Sequence, residues 1–221
     1  MENITISVRT KYFHIFKEFF FDSFIKHHSE YLKQLNVYVD ASNKKHNEKD
    51  FILYKELSDK YNFNVIYIKK YEEAELDSNN HFISLLYKSV KDIKGKVISL
   101  DDDLIIKDNN FILLMSNLLD DNKIIAQEYF CKSKKRSCMS SWIFGINNEN
   151  IEYSKKDFFE SDAPFCDGVS TNSFTENIKE HIYYFNNDIE IIELRTNYCN
   201  SKYYEHLSYK SCFHNKVLDR I

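Results

Sequence analysis

The amino-acid sequence predicts an α/β protein with a mostly parallel, mixed sheet and helices on both faces. Three observations carry that expectation. Short β-branched or aromatic runs alternate with segments of helical periodicity three times before a fourth strand begins at Lys96. That strand, Lys96-Val97-Ile98-Ser99-Leu100, runs without a spacer into Asp101-Asp102-Asp103, and apolar residues resume at Leu104, Ile105 and Ile106. A chain of 221 residues, 43% of them hydrophobic, is also long enough to bury one sizeable core.

Ile4 to Val8 reads as the first strand, β-branched and short, leading into Arg9-Thr10-Lys11-Tyr12. Phe13, Phe16, Phe20 and Phe24 then fall on one helical stripe with Phe19 beside it, the pattern of a helix laid against a sheet. His14, His27 and His28 accompany it as surface or packing residues. Leu35 to Val39 is the second strand and ends in Asp40-Ala41-Ser42-Asn43. The polar run Asn43 to Lys49 reads as a loop, and Phe51, Ile52, Tyr54, Leu57 and Tyr61 mark a second helix. Phe63 to Ile68 is the third strand. Lys69 to Asp77 is a charged loop with Asp77 or Ser78 as a helix cap, and Phe82, Ile83, Leu86, Val90 and Ile93 form the buried face of the third helix. Right-handed crossovers between parallel strands carry the ends of strands one, two and four to one rim. Arg9, Thr10, Asp40 and the three carboxylates therefore converge although they are scattered in sequence.

Beyond the carboxylates, Phe111 to Leu119 reads as a helix capped near Asp108 or Asn109, and Ile124 to Phe130 and Ser140 to Ile146 as strands. Trp142 is either a core residue or a platform on which a sugar face stacks. Lys132-Ser133-Lys134-Lys135-Arg136 is a solvated basic loop or a patch that steers a charged ligand. Glu160 to Val169 holds three acids and the chain's one proline, Ser173-Phe174-Thr175-Glu176 fits a capping box, and Ile189 to Leu194 is a further strand.

Alternation along extended backbone points Asp101 and Asp103 the same way and Asp102 the other. Like charges about 4 Å apart repel by roughly 4 kcal/mol at an effective dielectric near 20, and by about 1 kcal/mol in water. A solvated acidic turn tolerates this; a dry one calls for a cation. The carboxyl edge of an open α/β sheet is where such folds bind ligands, which favours a divalent metal site.

Asp101-Asp102-Asp103 at the end of a central strand resembles the Asp-X-Asp motif of GT-A-type, nucleotide-sugar-dependent glycosyltransferases, particularly the small family-2-like ones. The resemblance covers residues 4 to 130 and implies a GT-A-like fold. By that likeness Asp101 contacts the donor's ribose or a metal-bound water, and Asp103 holds Mn²⁺ or Mg²⁺ on the diphosphate, with Asp102 beside them in the nucleotide site. Arg9 and Thr10 after the first strand and Asp40 after the second correspond to the residues that hold base and ribose. Asn80 sits where family members carry an Arg-Asn pair, but its neighbours here are Asn79 and His81. Asp167, with Asp162 as alternate, corresponds to the base that takes the acceptor hydroxyl's proton in inverting members. His214, with His206 as substitute, corresponds to an extra metal ligand near the C-terminus.

The function so implied is transfer of a sugar from a nucleotide diphosphate sugar, UDP-linked by expectation, to a hydroxyl of a carbohydrate, lipid-linked or small-molecule acceptor. Two alternatives stay open: a nucleotidyltransferase, whose Gly-rich first loop this chain lacks before Gly95, and a non-catalytic nucleotide-sugar-binding module. A net charge of −4 and a pI near 6.1 give no general attraction to nucleic acid. No apolar run approaches the roughly 18 residues of a membrane span, and the N-terminus lacks a secretory pattern, so a cytoplasmic protein is expected. Cysteines 131, 138, 166, 199 and 212 form no paired spacing and are expected as thiols in a reducing compartment. A single domain is expected, residues 1–104 forming the nucleotide-binding half and 105–221 the acceptor side and tail; a homodimer is compatible with this reading.

Overall fold

A computed structural model describes residues 4–42, 44–71, 84–91, 93–131, 136–153, 180–195 and 198–207. Asn80, the basic residues 132–135, Asp162, Asp167, the capping box at 173–176 and His214 lie outside the described residues.

The expected α/β class is what forms. Strands β1 (Ile4–Thr10), β2 (Leu35–Asp40), β3 (Asn64–Ile68), β4 (Lys96–Asp101), β6 (Ile124–Cys131), β7 (Arg136–Asn147) and β8 (Ile182–Tyr184) build one sheet, in the order β3-β2-β1-β4-β7-β6-β8. Its parallel pairs are β1–β2, β2–β3, β1–β4 and β6–β8, while β7 runs antiparallel between β4 and β6. A second sheet, β5 (Leu104–Ile106), β11 (Tyr204–His206), β10 (Tyr198–Ser201) and β9 (Ile191–Arg195) in that order, is antiparallel throughout.

The chain steps outward from β1 to β3, then returns past β1 to lay down β4. With right-handed connections, that reversal sends the returning crossover to the opposite face of the sheet and opens a crevice between β1 and β4. Both faces show it. On one, Ile6, Val8, Val37, Ile98 and Leu100 pack with the aromatic helix after β1, with Tyr54 of α3 (Lys44–Tyr61) and with Phe111, Met115 and Leu119 of α5 (Phe111–Asp121). On the other, Val97, Phe144 and Ile146 pack with Leu86 and Tyr87 of α4 (84–88) and with Val90.

The aromatic segment departs from its expected register. Phe13–Ile15 (α1) and Asp22–His28 (α2) are α-helical, but Phe16–Phe21 between them is π-helical. Bonding to the fifth residue widens the turn. Phe21 consequently joins Phe16, Phe20 and Phe24 in the core, with the Phe16 and Phe21 ring centroids 5.6 Å apart, and Phe19 is only half-buried. In α3 the helix begins at Lys44, inside the run expected as loop, and Ile52 is 60% exposed. Phe51, Tyr54, Leu57 and Tyr61 keep a spacing of three or four, whereas Ile52 stands about 100° off their stripe. Asn62 closes α3 in the left-handed conformation at φ 58°, its N–H donating to the Ser58 carbonyl at 2.7 Å.

Of the second sheet the sequence pattern predicts one strand, Ile189 to Leu194, which forms as β9; β10, β11 and the pairing of the sheet are not predicted. Ser201 Oγ accepts the N–H groups of Tyr203 and Tyr204 at 3.2 and 3.0 Å and shapes the tight turn between β10 and β11. Tyr204 and Cys199 bury their side chains in the same cluster as Ile98 and Leu100, so both sheets share one core. Cys199 is a buried free thiol, pushed up to about 11 by its burial. Among the described residues no helix is long and apolar enough to cross a membrane.

Candidate metal centre at the sheet switch point

Pairing of β1 with β4 sets Arg9 opposite Asp101 and Ser7 opposite Ser99, at the carboxyl edge of the crevice where the strand order reverses. Alternation gives Arg9, Ser99 and Asp101 one face of the sheet. The chain turns at Asp102 and Asp103 and leaves the first sheet for the second, re-entering extended structure at Leu104. This explains the acids amid apolar residues. They stand at the junction of two sheets, with both flanks in the core and the turn facing the crevice.

All three carboxylates are buried, with Asp101, Asp102 and Asp103 at 6%, 2% and 4% exposure. Asp101 Oδ1 accepts from the Arg9 guanidinium at 2.8 Å. Register then supplies a third group from far along the chain. Because β11 pairs with β5, His206 lies opposite Leu104, next to Asp103, and its Nε2 is 3.3 Å from Asp103 Oδ1. The Leu207 N–H also donates to the Asp103 carbonyl at 3.2 Å. Asp101, Asp103 and His206 each offer one ligand atom, all within 4.8 Å of one another. Ligands across a small divalent ion with bonds near 2.1 Å stand roughly 4 Å apart, so the cluster has nearly the right span. Two carboxylates with an imidazole suit Mn²⁺ or a similar ion. His206 Nδ1 is buried and makes no hydrogen bond among the described residues, while its ring lies flat on Trp142, centroids 4.6 Å apart and planes 9° from parallel. Of the two roles left open for Trp142, the structure gives the buried one: the indole is 5% exposed with an imidazole on one face.

The other expected rim residues are placed as follows. Thr10 Oγ1 and the Tyr54 hydroxyl share a 2.8 Å hydrogen bond, and burial, with the charge of Asp102 adding to it, pushes the Tyr54 hydroxyl well above the usual range. Asp40 Oδ1 accepts from the Ser42 N–H at 3.2 Å and its hydroxyl at 2.7 Å, a local turn closing the end of β2. Burial and then the charge of Asp40 push the Tyr71 hydroxyl up. Arg9, expected to face the nucleotide, is turned inward and 1% exposed.

One element of the site had no sequence signal: the irregularity of β7. Ala126 of β6 pairs with Phe144, but Glu128 pairs with Met139, so residues 140–143 stand opposite Gln127 alone. This bulge carries Trp142 to His206 and aims the Ser141 carbonyl at Arg9.

Fold and site together define a class: an α/β protein whose carboxylate–imidazole cluster sits at the switch point of a mixed sheet. No protein-family model matches the chain, and no curated protein matches it in sequence. In fold it is similar to 4-diphosphocytidyl-2C-methyl-D-erythritol synthase from Anaerococcus prevotii DSM 20548, at 13% identity and a TM-score of 0.46, over 74% of this chain and 80% of that one. It is similar also to the galactosyltransferase LgtC, solved with donor and acceptor sugar analogues, at 16% identity and a TM-score of 0.47, over 65% of this chain and 57% of that one. A third is glucosyl-3-phosphoglycerate synthase from Mycobacterium tuberculosis, solved with Mn²⁺, UDP and glucosyl-3-phosphoglycerate, at 11% identity and a TM-score of 0.41, over 67% of this chain and 57% of that one. The likeness is one of fold, and the chain spans just over half the length of the last two proteins.

Proposed function

We propose that this protein is a metal-dependent glycosyltransferase that moves a sugar from a nucleoside diphosphate sugar, UDP-linked in our reading, to an acceptor hydroxyl. The observation that carries it is the convergence of Asp101, Asp103 and His206, from β4, the inter-sheet turn and β11, on one small volume at the switch point. Asp103 and His206 would be the principal ligands of Mn²⁺ or Mg²⁺, with Asp101 completing the set. Bound there, the ion would supply Lewis-acid stabilisation of the charge that develops on a diphosphate leaving group.

The chain's own residues do the rest. Asp103 directly precedes β5 and His206 ends β11, so the antiparallel pairing of β5 with β11 fixes their separation. Thr10 and Asp40 end β1 and β2 and Asp102 follows β4; base and ribose would lie against this edge, with Asn80 as a further candidate. Asp167, or Asp162 in its place, would take the acceptor hydroxyl's proton as the new bond forms, which needs only short-range positioning of a carboxylate. The acceptor is a carbohydrate, lipid-linked or small-molecule hydroxyl, and the compartment is the cytoplasm.

A panel of UDP-sugars incubated with the protein and Mn²⁺ tests this. UDP release that stops on chelation and falls at least about a hundredfold in Asp103→Ala is the expected result. Pyrophosphate release from a nucleoside triphosphate would instead make the protein a nucleotidyltransferase, and metal-dependent binding of UDP-sugar without release a non-catalytic module. No nucleoside diphosphate binding with either ion would end the proposal.

A further inference from the structure

Arg9 is the largest fully buried polar side chain of the site, and it reaches across the sheet. From β1 its guanidinium donates to Asp101 Oδ1 at 2.8 Å and Ser99 Oγ on β4, and to the Ser141 carbonyl in the β7 bulge at 2.6 Å. It also lies 5.7 Å from the centre of the Phe144 ring. One side chain thus ties three adjacent strands together at the edge where the carboxylates begin. At 1% exposure it offers no free face to a diphosphate. A guanidinium keeps its charge at any physiological pH, and its planar fork serves a carboxylate and a carbonyl at once.

We propose that Arg9 is a positioning residue that also serves as a built-in cation, neutralising Asp101 and holding the β4 end and the β7 bulge in place before any metal arrives. This rests on the metal reading of the same cluster and deepens it. Removing one partner of a buried ion pair leaves the other charge uncompensated, which is costly. A divalent ion at Asp101, Asp103 and His206 would bring the Asp101 carboxylate a positive charge in place of the one lost. Loss of Arg9 therefore makes the fold depend on the metal, whereas loss of an ordinary packing residue lowers stability equally with and without it.

Thermal melting of the full chain, in chelator and in excess Mn²⁺, tests this. Arg9→Met is expected to lower the metal-free midpoint by roughly 10 °C, and Mn²⁺ to recover about half of that on top of the wild-type increment. Arg9→Lys, which keeps the charge but not the fork, should show a Mn²⁺ increment within about 1 °C of wild type. Adding Asp101→Asn to Arg9→Met should raise the metal-free midpoint, because the stranded carboxylate is gone. If Arg9→Met does not fold without metal, the yield of folded protein on refolding with and without Mn²⁺ replaces the midpoint, a gain supporting the proposal and no gain overturning it. A wild type that ignores Mn²⁺ defeats the metal reading itself. A wild type that responds, with an Arg9→Met increment no larger than its own or a double variant no better than the single, defeats the role of Arg9 alone.

Discussion

Individual residues of this protein take their roles from what surrounds them more than from their type. His28 and His206 are both buried histidines close to an acid, yet they do different work. His28 closes the aromatic helix, its Nε2–H donating to the Asp108 carbonyl at 3.0 Å with Glu30 3.8 Å from Nδ1. Burial lowers its pKa below the usual value of 6.5. Between that lowered value and 6.5 the unfolded chain binds more protons than the folded one, so stability rises with pH through this window and is lost as pH falls through it. The slope is bounded by about 1.4 kcal/mol per pH unit for one proton. His28→Gln keeps a donor toward Asp108 but cannot titrate. Its stability measured between pH 7 and 5 should fall less steeply than the wild type's, and equal slopes would rule His28 out as the source. Phe21 and Ile52 make the same point for apolar residues: a widened turn buries the first, and a 100° offset exposes the second to 60%.

Among the elements, β7 is the antiparallel strand that joins β4 to β6 in the first sheet. It pairs with β4 through Leu100↔Ile143 and with β6 on its other side, and it bulges just where Ser141 and Trp142 meet Arg9 and His206. Its Gly145 is held between Ile98 and Ile125 in the sheet and crossed by α5. A Cβ there would lie 2.8 Å from Leu119 Cδ1 and 3.0 Å from Ile125 Cγ1. Gly145→Ala should therefore destabilise by about 1–3 kcal/mol through overpacking, a loss of several degrees in the melting midpoint. An unchanged midpoint would show that the Leu119 and Ile125 side chains give way at no cost. The sequence showed the apolar run of this strand from Ser140 to Ile146, because period and β-propensity are local. It did not show the bulge, which arises from the mismatch between two neighbouring strands and has no marker in either one.

At the scale of the whole molecule, the candidate metal centre joins two sheets. Asp101 ends β4 in the first, His206 ends β11 in the second, and Asp103 lies in the turn that passes between them. An ion held by all three would fasten the short strand β11, which in its absence is kept in place by its pairing with β5 and β10. Amide exchange should consequently slow in β5 and β11 on addition of Mn²⁺, and His206→Gln should abolish the effect while leaving the protection of β1 and β2 unchanged. Uniform protection across both sheets, or none in β11, would place the ion elsewhere. The parallel part of the first sheet, β1 to β4, and its rim were legible from sequence because alternating strands and helices with right-handed crossovers admit few topologies, and these bring Arg9, Thr10, Asp40 and Asp101 to one edge; β8 and the order of the later strands were not. The approach of His206 to Asp103 was not legible. The two-residue spacing of Tyr204 and His206 about Glu205, in a short tyrosine-rich stretch, was the available hint. The pairing of β11 with β5 across about a hundred residues set the imidazole beside Asp103.

The sequence alone determined the α/β class, the apolar strands, and the presence of three acids where the fourth strand meets the rim, because hydrophobic period and charge placement are properties of neighbouring residues. Tertiary structure alone decided that Arg9 turns inward to Asp101, that Trp142 lies on His206, and that His206 reaches Asp103. Each of those depends on a strand register or a bulge, and register is set by packing between segments far apart in the chain.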